Sequence, residues 1–458
     1  MTTLTSINPT NGEVVREVPA ATAAEIAAVL QRAEQAFHAW RDTTFAERAQ
    51  VLNAVAAHLR ENTDTYAPLM TEEMGKPITE AHGEVAKAAW AAEHYAEHAE
   101  QYLADEHIAS DATSSYVQHL PLGPVLGILP WNAPFWLAFR FCAPALMAGN
   151  TCVMKHDPHV PGCAAAIQDA FKAVGAPDGI FQTLHAATED VESVIRAPEI
   201  RAVSFTGSDR AGSQVAAAAA GEIKPAVLEL GGSDPCIVLA DADLARAAQV
   251  TALSRIINAG QSCIAAKRVI VERSVHDEFV DLLAGHLRDL KVGDPNEEDT
   301  KVGPIARGEL RENLHRQVVD SVAAGATCVL GGELPEGDGY FYPVTLLTDV
   351  QPGMTACTEE TFGPVAVVLA ADSAEEALAI ANDTPYGLGA SVWTTTERGE
   401  AMARRIEAGQ VSVNGIVKTD PRLPSGGIKR SGYGRELGPH GIREFVNAQQ
   451  VWVGPVKQ

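Results

Sequence analysis

Residues 124–156 read PVLGILPWNAPFWLAFRFCAPALMAGNTCVMKH. The first six are a short apolar run that stops at Pro130, and such a run predicts a buried strand. From Pro134 the pattern stays apolar as far as Gly149, which predicts a helix opened by proline and closed by glycine. TCVMKH then predicts a second buried strand. Two buried strands joined through a helix are a right-handed crossover unit, and they pair in parallel. The alternation continues with a helix over 161–174, the strand IFQTLH (180–185), a helix over 188–196, the strand AVSFTGS (202–208), an Ala-rich helix over 209–220 and the strand AVLEL (226–230). This order predicts an α/β fold with an open parallel sheet.

Outward from that core, a second alternating region begins near Asp234. Its expected strands are CIVLA (236–240), RVIVE (268–272), VAVVLA (365–370), GASVW (389–393) and VSVNG (411–415), with helices near 243–257, 275–289, 373–381 and 397–407. Two α/β domains are therefore expected, meeting near Gly231–Gly232. Helical periodicity dominates the first hundred residues, in 23–40, in 47–62 and from Ile78 to Leu103. EFVNAQQVWVG (444–454) predicts an exposed strand in search of a partner.

The bulk properties narrow the function classes. A chain of 458 residues suits two or three domains, and 46% apolar residues suit sizeable cores. A formal charge of −24 repels polyanions, which argues against a nucleic-acid partner. The seven cysteines are odd in number and form no CxxC pair, so neither a disulfide framework nor a structural zinc site is expected. The N-terminus has no basic stretch followed by an apolar one, and no segment reads as a membrane span; a cytoplasmic location is the expectation.

Four short segments carry chemistry: PWNAP (130–134), FTGS (205–208), LELGG (228–232) and NAGQSC (258–263). The first three stand at strand ends, where ligands bind in open α/β sheets. Taken singly they are weak. A lone cysteine is more often a buried small hydrophobe than a nucleophile, and FTGS opens a helix that suits a phosphate but does not match GxGxxG. Together with EETFGPV (359–365) and PSGGIKRSGYGRE (424–436), in this order and over essentially the whole chain, they make the sequence resemble the aldehyde dehydrogenase superfamily. MKHDP (154–158) and DPRLPSGG (420–427) are most similar to the short bacterial succinate-semialdehyde dehydrogenases.

The resemblance implies a Rossmann-type NAD(P)-binding domain over 1–111 and 122–230, a catalytic domain over 231–436, and a small β oligomerisation element over 112–121 and 437–458, giving a homodimer or homotetramer. It implies Cys263 as nucleophile, Glu229 as general base, and Asn132 with the Cys263 backbone N–H as the oxyanion hole. It places the cofactor against Trp131, Lys155, Gly207, Ser208, Leu230, Glu360 and Phe362. Three departures bear on the substrate tunnel and cofactor: Pro158 replaces a frequent glutamate, Ala133 replaces a phenylalanine, and Ser425 replaces another. Ala265 stands where some relatives carry a second cysteine. A carboxylate near the adenosine ribose repels a 2′-phosphate, so Pro158 turns the expectation towards NADP over NAD.

For the substrate, the expectation rests on Arg140. It lies eight residues after Asn132, on the same helix face as Trp136. An arginine fork suits a carboxylate, and the resembling subgroup carries arginine there, although a local acid could instead brace it. Arg422 is the expected second ligand. The expected reaction is oxidation of succinate semialdehyde, ahead of glutarate semialdehyde or lactaldehyde. Glu229 favours hydrolysis of the thioester over its transfer to coenzyme A, and the full set Cys263, Glu229 and Asn132 argues against a non-catalytic scaffold.

Overall fold

A computed structural model describes residues 2–455. Residue 1 and residues 456–458, at the outer ends of the expected cofactor and oligomerisation segments, lie outside the described residues. The strand–helix–strand core forms as expected: Pro124–Leu129, the helix Pro134–Met147, then Thr151–His156. The two strands pair in parallel from Pro124↔Thr151 to Leu129↔His156. They belong to a six-stranded sheet ordered Gly432–Tyr433, Ala226–Glu229, Ala202–Thr206, Pro124–Leu129, Thr151–His156, Phe181–Thr183. All neighbours run parallel except Gly432–Tyr433, which lies antiparallel on Ala226–Glu229. The chain winds outward from Pro124–Leu129 in one direction, then returns to place Ala202–Thr206 on its other side. That reversal opens a crevice beyond the two strand ends, where Trp131, Asn132, Gly207 and Ser208 stand.

The second sheet has seven strands, in the order Thr327–Leu330, Thr345–Thr348, Val365–Ala371, Arg268–Glu272, Pro235–Val238, Gly389–Trp393, Gln410–Val413. Only the edge strand Thr327–Leu330 is antiparallel. A third sheet joins Val446–Val453 to Ser114–Pro121, from Val446↔Pro121 to Val453↔Ser114, with Glu106–His107 on the far side. The strand Val446–Val453 is at the edge and exposes Trp452 and Val453. No described helix is long and apolar enough to cross a membrane.

The structure adds elements that periodicity did not reveal. A hairpin of Thr3–Ile7 and Val14–Pro19 opens the chain, and the helix Thr63–Met74 runs through Pro68. The helix Gly308–Ala323 is mostly polar; it buries only the narrow stripe Leu314, Gln317, Val318 and Ser321, too thin to stand out as amphipathic. By contrast every residue of the helix Pro134–Met147 is buried, because it packs between the sheet and the long helix Ile78–Tyr102. A charge in such a helix needs partners, and Arg140 sits in its middle.

Candidate active site

The helix Leu244–Ile256 ends in a turn where Asn258, Ala259 and Gly260 all have positive φ, at 55°, 52° and 74°. Two of the three are not glycine, so this backbone is strained and must be held from outside. It is held by Glu80, which accepts from the Asn258 N–H at 2.7 Å, and by the Asn258 amide, which donates to the Asn132 carbonyl at 2.8 Å. Cys263 follows on a turn, half-buried, before the strand Arg268–Glu272.

Beneath the cysteine lies Lys267, fully buried. An ammonium has three protons, and Nζ finds three acceptors: the Cys263 carbonyl at 2.6 Å, the Ser262 carbonyl at 2.9 Å and Glu360 Oε1 at 3.1 Å. Glu360 also accepts from the Gly232 N–H at 3.2 Å. Lys267 thus ties the nucleophile's turn to the residue expected to hold the cofactor. Burial pushes the Cys263 thiol up to about 11; Lys267 and Arg140 oppose this, while Glu360 and Glu229 add to it. The resting thiol is therefore protonated, and thiolate chemistry needs a base.

Asn132 follows the strand Pro124–Leu129. Its amide donates to the Gln261 carbonyl at 3.1 Å, and its own carbonyl accepts from Lys76 Nζ at 3.0 Å. Lys76 is itself paired with Glu84, whose other oxygen caps the Phe135 and Trp136 N–H groups at 2.9 and 3.2 Å. Asn132 is thereby fixed between two helices and the cysteine turn. Glu229 ends its strand buried, 3.7 Å from Arg140 Nη2. Burial pushes its carboxyl up, Arg140 pulls it down, Glu436 pushes it up again and Arg435 pulls it down. A Cβ on Gly426 would sit 2.8 Å from Glu229 Oε1, so the loop can approach the carboxylate only through glycine.

Asn132, Cys263 and Glu229 line a cavity of about 850 Å³. Trp131, Lys155, Gly207, Ser208, Leu230, Glu360 and Phe362 line the remainder. Phe362 meets Trp131 edge-on, with centroids 5.9 Å apart. Ser208 caps the helix Asp209–Gly221, whose N-terminus opens onto the cavity. Lys155 is buried, and burial lowers its pKa.

Asp157 is an acid in the cavity wall that the argument from Pro158 did not foresee. Burial raises its carboxyl, but the hydrogen bond and charge of His159, and then the charge of Arg307, hold it below its ordinary value. His159 Nδ1 lies 2.7 Å from it and the His159 N–H 3.0 Å, so the carboxylate is already engaged. Arg307 also lines the cavity.

Both expected carboxylate ligands are paired with acids of the fold itself. Arg140 is in the site, but Glu436 binds its Nε and Glu229 stands beside Nη2. A guanidinium buried in an apolar helix is neutralised from its own fold. Arg422 is outside the cavity lining; it forks onto Asp420 at 2.8 and 2.6 Å, lies 5.4 Å over the Trp90 ring, and its side chain is 65% exposed. Lys267, Glu436, Lys76 and Glu84 are site residues that the sequence reading missed. Among the described residues no His, Cys, Asp and Glu group could hold a metal ion.

The sequence profile of the aldehyde dehydrogenase family matches residues 1–451. A Synechocystis sp. protein named probable succinate-semialdehyde dehydrogenase, NADP(+), is 49% identical over 451 residues, covering 98% of this chain and 99% of that one. Succinate-semialdehyde dehydrogenase 1, NADP(+), of Mycobacterium tuberculosis is 47% identical over 457 residues, covering 98% and 99%. Among solved structures, succinic semialdehyde dehydrogenase from Streptococcus pyogenes in complex with NADP+ superposes with a TM-score of 0.96 at 35% identity, covering 98% of this chain and 100% of that one. Lactaldehyde dehydrogenase from Escherichia coli gives a TM-score of 0.96 at 35% identity, covering 99% and 96%.

Proposed function

This chain belongs to the aldehyde dehydrogenase family, and from that premise we propose that it oxidises a short carboxylated aldehyde, succinate semialdehyde first, to the acid with NADP+. The observation that carries this reading is that one cavity is lined by Cys263, Glu229 and Asn132 together with Lys155 and Arg307. The relatives named for succinate semialdehyde and NADP(+) support the same substrate and cofactor.

The residues fit a dinucleotide phosphate. Lys155 would take the adenosine ribose, and Lys155 and Arg307 bring positive charge to the wall where Asp157 is engaged by hydrogen bonds from His159, which suits a 2′-phosphate. The Ser208 helix start with Gly207 takes the pyrophosphate. Trp131 and the Leu230 backbone would flank it, Glu360 would hold the nicotinamide ribose, and Phe362 would pack beside the ring. Bound there, NADP+ supplies the hydride acceptor.

The chain's own groups do the rest. Cys263 Sγ bonds to the aldehyde carbon as its proton leaves to Glu229, and the carbonyl π pair moves onto oxygen. The Asn132 amide and the Cys263 N–H meet that oxygen, a kind of donor worth about 10²–10³ in rate. Loss of hydride from the carbon leaves a thioester. Glu229, raised by burial towards the working range of a base, first gives up the thiol proton to solvent and then takes a second proton from water, whose oxygen replaces the Cys263 sulfur as it leaves as thiolate. Trp136, on the face shared with Arg140, walls the substrate. The edge strand Val446–Val453 supports assembly as a homodimer or a dimer of dimers, and we place the enzyme in the cytoplasm.

The test is the absorbance of reduced nicotinamide formed from succinate semialdehyde, glutarate semialdehyde, lactaldehyde and butanal, each with NADP+ and NAD+. The highest kcat/KM is expected for succinate semialdehyde with NADP+. A preference for a neutral aldehyde overturns the substrate, and a strong preference for NAD+ overturns the cofactor.

A further inference from the structure

Asp234 stands one residue before the strand Pro235–Val238, and Lys267 one residue before its parallel neighbour Arg268–Glu272. The register Pro235↔Arg268 sets the two side by side, and the Asp234 carbonyl accepts from the Lys267 N–H at 3.0 Å and the Arg268 N–H at 3.2 Å. The Asp234 side chain is buried. Neither of its carboxylate oxygens has a well-aligned hydrogen-bond partner, although the Gly389 N–H faces them. Oδ1 and the Cys263 carbonyl border one gap: a Cβ on Gly232 would lie 2.8 Å from the first and 3.0 Å from the second. An unpaired buried carboxylate is costly, and the mechanism above does not use this one.

The charges around it are assigned as follows. Arg268 gives its guanidinium to the Ser233, Ile380 and Ala381 carbonyls. Arg255, fully buried on the helix Leu244–Ile256, gives Nη2 to the Gly260 and Thr361 carbonyls. Lys267 gives its protons to the Cys263 and Ser262 carbonyls and to Glu360. Glu407 lines the small cavity on the other side of Asp234, but it is exposed and paired with Lys429. Among the described residues Glu360 is therefore the one acid in contact with Lys267, and Glu360 also lines the cofactor cavity. A ribose edge carries two neighbouring hydroxyls. Accepting from both engages both Glu360 oxygens, so the hold on Lys267 weakens when cofactor binds.

We propose that Asp234 is a positioning residue, the second counter-charge of Lys267, which takes up the ammonium when Glu360 turns to the nicotinamide ribose. The inference rests on that reading of Glu360. Lys267 then keeps its hold on the Cys263 and Ser262 carbonyls, and the nucleophile's turn stays fixed while cofactor comes and goes. The exchange moves a proton. Burial first raises the Asp234 carboxyl to about 7 and Glu360 adds to the rise, while Lys267, the Gly389 N–H and Arg268 oppose it. In the free protein Asp234 therefore holds a share of a proton at neutral pH. As the Glu360 charge is drawn to the ribose and Lys267 closes on Asp234, the carboxyl falls and that proton leaves to solvent. The free protein binds more protons than the complex, so NADP+ binding strengthens as pH rises through about 7.

The experiment is calorimetric titration of NADP+ into wild type, Asp234→Asn, Asp234→Ala and Glu360→Gln, in two buffers of different ionisation enthalpy, which counts the protons released. Protons lost from the cofactor's own phosphates are common to all four proteins and cancel in the differences. At neutral pH wild type is expected to release about half a proton more than Asp234→Asn, since a group with a pKa of about 7 is half protonated there. Asp234→Ala, smaller than the acid and free of any clash, is expected to match Asp234→Asn. Across about one pH unit either side of neutral, wild-type affinity should rise about 3–10-fold relative to Asp234→Asn, the equivalent of half to one pKa unit. Glu360→Gln is expected to bind NADP+ about 10-fold more weakly, the loss of a charged acceptor. Equal proton release in wild type and both Asp234 variants, with NADP+ binding weakened in Glu360→Gln, overturns only the role of Asp234. Unchanged NADP+ affinity in Glu360→Gln overturns the reading of Glu360 beneath it.

Discussion

The floor beneath Cys263 and the loop at Arg422 use the same residue types but place their charges differently. In the floor, Lys267 meets two carbonyls and Glu360, Lys76 meets Glu84 and the Asn132 carbonyl, and Arg140 meets Glu436 and Glu229. In the loop, Arg422 meets Asp420 with its guanidinium open to water. Removing a buried charge leaves its partners unpaired at full cost, whereas water takes the place of an exposed one. Substitutions in the floor should therefore damage turnover of every aldehyde, and those in the loop should change little.

The largest effect that separates the two regions is expected at Arg140. Arg140→Leu leaves Glu229 and Glu436 buried together without their cation, a loss of about 3–5 kcal/mol in stability. Thermal denaturation should show a clear fall in Tm, and kcat/KM for succinate semialdehyde and butanal should fall by similar factors. A loss confined to KM for the semialdehyde would make Arg140 a ligand of the substrate and dissolve the comparison.

Lys267→Met comes next. It strips the Cys263 and Ser262 carbonyls and Glu360 of a shared donor, and each unsatisfied buried group costs about 1–3 kcal/mol. It also removes the leading cation that restrains the Cys263 thiol, so the thiol should move higher still than about 11. At fixed pH less thiolate is then present, and alkylation by iodoacetamide should slow. NADP+ affinity should change in the same variant, because Glu360 loses an anchor. An unchanged alkylation profile would mean that Lys267 is only a spacer.

The smallest effect is expected at Arg422. Its guanidinium side of the pair with Asp420 is 65% exposed while Asp420 is only 8% exposed; water reaches the arginine, so the pair is worth about 1 kcal/mol. Arg422→Ala should change kcat/KM for succinate semialdehyde by less than about 5-fold, the equivalent of 1 kcal/mol. A much larger and substrate-selective loss would make it the second carboxylate ligand after all.

How much of this was legible in sequence follows from the range of each interaction. The central strands were legible because burial on both faces makes them continuous apolar runs; TCVMKH matches Thr151–His156 residue for residue. Thr327–Leu330 and Thr345–Thr348 were not, since the first is an exposed edge strand and the second is only four residues long. PWNAP, LELGG and NAGQSC stood out as segments because each is local. Lys267 did not, although it is four residues past Cys263, because two of its three acceptors are backbone carbonyls that no side-chain pattern encodes. Helical spacing put Arg140 on the Trp136 face, but its partners Glu229 and Glu436 come from distant segments, and only the fold reveals that its charge is already met. Asp234 carried no signal of its own at the start of an apolar strand.

The covalent step is the centre of the account, and one measurement reaches it directly. Glu229→Gln, incubated with succinate semialdehyde and NADP+, should acylate only slowly, through the small fraction of Cys263 thiolate that forms without the base, and then fail to hydrolyse; mass spectrometry of its peptides should find one succinyl group accumulating on Cys263. An adduct on another cysteine, such as the exposed Cys328, or turnover at the wild-type rate with no adduct, would contradict the assignment of nucleophile and base.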